Sequence, residues 1–129
     1  MISFLDLKKI NEPYQEAFLE KTKVFLEKGH YILGDEVLQF EQEFAAFCNT
    51  THCIGVGNGL DALVLIFKGY LQLGVLKEGD EILVPANTYI ASILAIINAG
   101  LKPKLVDTNL LNYNLTLDAL EQNVTQHTK

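Results

Sequence analysis

Apolar and polar residues alternate along this chain in two different patterns. Up to about residue 52 the period is helical. Residues 1–10 read as an extended lead-in carrying Phe4, Leu5 and Leu7. A first helix is predicted from about Glu12 to Lys28: Asn11 is placed to cap it, Pro13 suits its first turn, and Gly29 suits its exit. His30-Tyr31-Ile32-Leu33-Gly34 interrupts the period. A second helix is predicted over Asp35 to Cys48, with Val37, Phe40, Phe44 and Phe47 on one face and Asn49 to end it.

From residue 53 the pattern becomes strand, glycine turn, helix, strand. Cys53-Ile54-Gly55-Val56 reads as a first strand. Leu60, Leu63, Val64, Phe67 and Leu71 form a helical face, and Ala62, Leu65 and Ile66 make the other side apolar too, so burial on more than one side is expected. After the polar turn Lys77-Glu78-Gly79-Asp80, Glu81 to Val84 is a short strand stopped at Pro85. Ile90, Ile93, Leu94 and Ile97 open another helix, closed by Gly100. Pro103 to Asp107 reads as a third strand, and Thr116 is a fair cap for a last helix with Leu117, Leu120 and Val124. Strands alternating with crossover helices predict an α/β fold with mainly parallel strands, because parallel neighbours need a long connection. The expected division is a helical segment over 1–52 and an incomplete α/β domain over 53–129. Three strands with such apolar helices read as the opening of a larger sheet, hence as the N-terminal part of a longer protein or a truncated product. Its uncovered helix faces and sheet edge predict aggregation.

Composition narrows the function. An apolar fraction of 49% and a charged fraction of 20% describe a chain able to form a core. The net charge of −6, with no cluster of basic residues, argues against nucleic acid. No apolar run reaches the length of a membrane span and no signal peptide is visible, so the cytoplasm is expected. Cys48 and Cys53 match no zinc spacing, no metal site is expected, and both thiols read as reduced and packed.

Gly57-Asn58-Gly59-Leu60-Asp61-Ala62-Leu63 carries the candidate chemistry. Glycines between a strand and a helix let backbone N–H groups approach an anion, and the helix dipole favours negative charge there. Gly57-x-Gly59-x-x-Ala62 fits a loose dinucleotide fingerprint, but that fingerprint wants an acid at the end of the second strand, where Val84-Pro85-Ala86-Asn87 stands. There is no Walker lysine either. A single phosphate held by backbone N–H groups fits better; the alternative is a plain strand-to-helix turn. Tyr89, past the next strand end, offers a flat ring to a planar cofactor or simply packs the helix start. Tyr31 to Gly34 either walls a pocket or plugs the core. Asp107 reads as a solvated carboxylate, and His52 and His127 lack partners.

These pieces together resemble the pyridoxal-phosphate-dependent nucleotide-sugar aminotransferases of the DegT/DnrJ/StrS type over the whole chain. The carriers are Ile2-Ser3-Phe4-Leu5-Asp6-Leu7-Lys8, then Tyr31-Ile32-Leu33-Gly34 with Val37 and Phe40-Glu41, then Val56 to Leu63, then Val84-Pro85-Ala86-Asn87-Thr88-Tyr89-Ile90-Ala91-Ser92. The wording of the last two is similar to the branch acting on dTDP-3-keto-6-deoxyhexoses.

The resemblance implies the N-terminal portion of the fold-type I transferase large domain. It implies pyridoxal 5'-phosphate as cofactor, glutamate as amino donor, a nucleotide-linked keto sugar as substrate and a homodimer when complete. Gly59 and Leu60 would give N–H groups to the cofactor phosphate, Asn58 would hold the loop, Tyr89 would stack on the pyridine ring, and Tyr31, Leu33 and Gly34 would lie near the sugar. Many relatives carry a hydroxyl residue where this chain has Leu60. The family's chemistry depends on a lysine that binds the cofactor and moves protons, and on an aspartate paired with the ring nitrogen. None of Lys102, Lys104 or Lys129 stands in the right context, and Asp107 is not that aspartate. The 129 residues alone are therefore expected to be inactive. The alternatives are a non-catalytic binding or regulatory protein of the same fold, or a dinucleotide-binding fragment.

Overall fold

The computed structural model describes residues 4–129, so the family-like Ile2-Ser3 opening lies outside the described residues. The chain divides into two compact units, one running to Gly55 and one over Val56–Lys129.

The first unit is helical. Its start differs from the expected lead-in: α1 is Leu7–Asn11, capped by Asp6, whose side chain accepts from the Lys9 N–H at 3.1 Å. Asn11 makes no side-chain cap bond. A 3₁₀ turn at Glu12–Tyr14 follows, then α2 over Gln15–Lys28. The break falls at Pro13, which has no N–H to donate and so ends one helix while starting the next. Gly29, at φ +68°, closes α2 in the left-handed conformation. α3 is Asp35–Phe47, and Asn49 leaves it at φ +52°.

The second unit is α/β. α4 (Gly59–Gln72), β1 (Glu81–Pro85), α5 (Ile90–Asn98), β2 (Lys102–Val106) and α6 (Leu117–Asn123) follow in order. β1 and β2 pair in parallel, from Glu81↔Lys102 to Pro85↔Val106, across the α5 crossover. A parallel bridge also joins Glu81 to Thr128. The strand expected at Cys53–Val56 does not form. A strand exists through ladder hydrogen bonds, and this run finds no strand partner among the described residues. The core is Leu76, Val84, Ile96, Ala99 and Leu101, flanked by Phe67, Leu71, Ile82 and Ile93. α4 and α5 pack on each other and α5 covers both strands, which accounts for one apolar face of α4. Leu65 and Ile66, where burial on a second side is expected, remain about half exposed because no element covers them among the described residues. Each large aliphatic side chain so buried contributes about 1.5–3 kcal/mol relative to exposure.

Candidate cofactor site

α4 begins with a reciprocal side-chain clamp. Asn58, extended at φ −166°, is the cap: its Oδ1 accepts from the Asp61 N–H at 2.9 Å while its Nδ2 donates to Asp61 Oδ2 at 2.9 Å. Asp61 sits three residues into the helix, the place where an acid opposes the positive dipole end. The Asn58 carbonyl takes the Ala62 N–H at 3.1 Å. With those groups occupied, the N–H groups of Gly59 and Leu60 have no hydrogen-bond partner among the described residues, as the first turn of any helix leaves them. A Cβ added at Gly59 meets nothing within 4 Å, so the backbone at the start of the turn is not crowded. A hollow of about 310 Å³ lies along the loop and one side of α4, lined by Val56, Gly57, Asp61, Val64 and Leu65; Gly59 and Leu60 are not part of its lining.

Two free N–H groups at the positive end of a 14-residue helix suit a phosphate oxygen. The donor set is backbone only: Leu60 has no hydroxyl, and the one charged side chain in the turn, Asp61, is tied to Asn58. The Asn-x-x-Asp spacing that makes this clamp is visible in the sequence, and Asp61 is a positioning residue beyond those expected there.

Tyr89 is the N-cap residue of α5, with no side-chain cap bond, and is 79% exposed. Its ring has no aromatic partner among the described residues. The turn that presents it is fixed locally, by Thr88 N–H to Pro85 O at 3.1 Å and Thr88 Oγ1 to Ser92 Oγ at 3.1 Å. Beside it Asn87 Nδ2 donates to Tyr113 O at 3.3 Å. Ala86, Asn87, Asp107, Thr108 and Leu110 line a second hollow, of about 450 Å³, at the carboxyl ends of β1 and β2, where open parallel sheets collect ligands.

Tyr31, Leu33 and Gly34 belong to the first unit. The Tyr31 hydroxyl is already engaged, donating to Leu26 O at 3.1 Å, and its ring packs 5.0 Å from Phe25. Leu33 is left-handed at φ +52° and 79% exposed, a conformation that costs a leucine roughly 1–2 kcal/mol. Gly34 caps α3, and a Cβ there would meet His30 O at 3.0 Å. Lys28 and Glu36 close the loop at 2.5 Å; their mutual hydrogen bond holds the ammonium above its usual range and the carboxyl below. A hollow of about 560 Å³ lies within this unit along α1 and the start of α2, lined by Leu7, Lys8, Asn11, Glu12, Tyr14, Gln15 and Phe18.

Residues 13–129 match the model of the DegT/DnrJ/EryC1/StrS aminotransferase family. The whole chain is 49% identical over 129 residues to the dTDP-3-amino-3,6-dideoxy-alpha-D-galactopyranose transaminase of Aneurinibacillus thermoaerophilus, covering 34% of it. It is 37% identical over 127 residues to the erythromycin biosynthesis sensory transduction protein EryC1 of Saccharopolyspora erythraea, with 98% of this chain and 34% of that one covered. Among solved structures it matches S. venezuelae DesV in complex with a ketimine intermediate, with TM-score 0.86 and 38% identity over 99% of this chain and 33% of that one. It also matches NtdA from Bacillus subtilis with bound cofactor PMP, with TM-score 0.85 and 29% identity over 99% of this chain and 29% of that one. The chain thus spans about a third of the length of these relatives, and its fold is a portion of their architecture. It belongs to the DegT/DnrJ/EryC1/StrS aminotransferase family.

Proposed function

We propose that this chain forms the phosphate-holding part of a pyridoxal-phosphate-dependent aminotransferase that converts a keto-sugar nucleotide to the amino sugar with glutamate as donor. The substrate favoured is a dTDP-3-keto-6-deoxyhexose. The observation that carries this reading is the match over the entire chain to a dTDP-sugar transaminase, and the open first turn of α4 agrees with it. When bound, the cofactor supplies an electron sink through which an amino group is exchanged.

In this reading Gly59 and Leu60 hold the phosphate by their N–H groups, and Asn58, steadied by Asp61, fixes the turn that aims them. Tyr89, exposed at the start of α5, would offer its ring to the cofactor by stacking. Tyr31, Leu33 and Gly34 border the sugar, with the Tyr31 ring rather than its engaged hydroxyl making contact. Residues 53–129 begin the cofactor-binding large domain, preceded by the helical segment 1–52. A complete protein of this kind works as a homodimer. No helix among the described residues is long and apolar enough to cross a membrane, and we place the protein in the cytoplasm.

The 129 residues by themselves are proposed not to transaminate. Lys102 opens β2, at the end of the sheet away from the ligand-collecting strand ends. The Lys104 ammonium is committed to Asn123 O at 2.6 Å. The decisive measurement is the intact mass of the protein from its source after pyridoxal phosphate and borohydride. A mass well above 14.4 kDa with one reduced adduct on one lysine is expected; a mass near 14.4 kDa with no specific adduct overturns the enzyme reading. The likeness to EryC1 favours a second reading, a regulator that keeps the fold. It predicts no glutamate-dependent amination of a dTDP-3-keto-6-deoxyhexose by the source protein.

A further inference from the structure

The densest polar junction of the second unit lies away from the cofactor site, at the start of β1. The Glu81 backbone brackets the C-terminal segment as a parallel ladder does: its N–H donates to His127 O at 2.9 Å and its carbonyl accepts from the Lys129 N–H at 3.1 Å. Its side chain grips the same segment, with Oε1 accepting from Thr128 Oγ1 at 2.8 Å and Thr125 Oγ1 at 3.1 Å. Both hydroxyl oxygens are themselves acceptors, Thr125 Oγ1 from the His127 N–H and Thr128 Oγ1 from the Thr125 N–H. Each hydroxyl has one proton to give, and both stand within reach of the one oxygen, Glu81 Oε1, while lying 3.3 Å from each other. Lys104 of β2 stands 3.8 Å from that oxygen and also holds Asn123 O at the end of α6.

We propose that Glu81 is a register pin on the side of β1 away from β2: one residue, through backbone and carboxylate together, sets Thr125–Lys129 against β1 as a third parallel lane. A plain strand pairing would need only the backbone bonds, which any residue at 81 can make. The side-chain contacts fix which residue of the segment stands opposite, because a shift by one would carry both hydroxyls away from the carboxylate. The groups facing Glu81 are the Lys104 ammonium from β2, and from the segment itself the two hydroxyls and the His127 imidazole. All of them favour the ionised form, and the carboxyl is held below its usual range, first by the Thr128 hydroxyl and then by Thr125, Lys104 and His127 against some desolvation. The ionised carboxylate is thus the form that these contacts favour.

The test is amide hydrogen exchange on the whole chain, normalised for intrinsic rates. In Glu81→Ala, the Glu81 and Lys129 amides are expected to lose about tenfold in protection, while the Lys102 and Ala86 amides, which bond across β1 and β2, keep theirs. Glu81→Gln, which keeps an acceptor oxygen but loses the charge, should fall between. The double variant Thr125→Val with Thr128→Val leaves β1 untouched and should reproduce the Ala result even if substitution at 81 unfolds the unit. Protection at Lys129 unchanged in the double variant, or equal losses at Lys102 and Ala86, would overturn the proposal.

Discussion

The two units are built from helices with similarly apolar faces, yet they bury them very differently. Of the eight buried hydrophobic residues described, Ala45 alone belongs to the first unit; the other seven lie beyond Leu73. α3 carries Phe40 and Phe44 a turn apart, their rings stacked 5.5 Å from each other, and both remain about half exposed. α5 carries Ile93 and Ile96 at similar spacing, and Ile96 is 2% exposed. An amphipathic stripe specifies which face wants covering and nothing about what covers it. In the second unit a parallel strand pair supplies that cover. In the first, α2 and α3 keep much of their apolar face in solvent.

The sharpest way to break this contrast is a pair of truncations. Ile96→Ala is expected to cost about 2–5 kcal/mol of the second unit's stability, by removing methyl groups from a filled site. Phe40→Ala, at a half-exposed ring, should cost well under half of that; chemical denaturation with exchange readout separates the units. Equal losses would show that both are packed alike. Next, Gly34→Ala should destabilise the first unit by about 1–2 kcal/mol, because the new Cβ would press on His30 O. Asn58→Ala should cost about 1 kcal/mol in the second unit by loss of the cap. It should also weaken pyridoxal phosphate binding, measured by calorimetry with inorganic phosphate as competitor. Leu60→Thr goes the other way. One added hydroxyl at the open turn should tighten cofactor binding by up to about tenfold, the worth of one hydrogen bond.

The smallest expected effect is one of pH. Glu81 has a lowered folded-state value, so its contribution is fully present above the ordinary carboxylate range and fades as pH falls through that lowered value. An acid titration of Glu81→Gln should lack this component; an identical profile would remove Glu81 from the account.

How much of this was legible beforehand differs by unit. β1, α5 and β2 were readable because Pro85, Gly100 and the alternation of short apolar runs with helical stripes are local signals. The phosphate turn was readable as glycines ahead of a helix, although the Asp61 partner of Asn58 was overlooked. The start of the first helix is not legible in the same way: the cap Asp6 lies seven residues before Pro13, and a proline inside a periodic stretch signals a junction as readily as a beginning. The strand at Cys53–Val56 shows the limit of local reading. Apolar residues with strand propensity describe a willingness to pair, and pairing requires a neighbour that propensity cannot supply. The role of Glu81 is not legible for the same reason, since its partners lie up to 48 positions away.

That separation sets a timetable for synthesis. With chain growth at roughly 5–20 residues per second, Thr128 leaves the ribosome roughly 2–9 s after Glu81. A hairpin closes within microseconds of its second strand appearing; a parallel lane must wait for everything between. For that interval the side of β1 away from β2 is an unpaired row of donors and acceptors on a nascent chain, open to any other strand that arrives first. Aggregation during production should therefore be decided during translation, and slower growth of the polypeptide would lengthen the exposure.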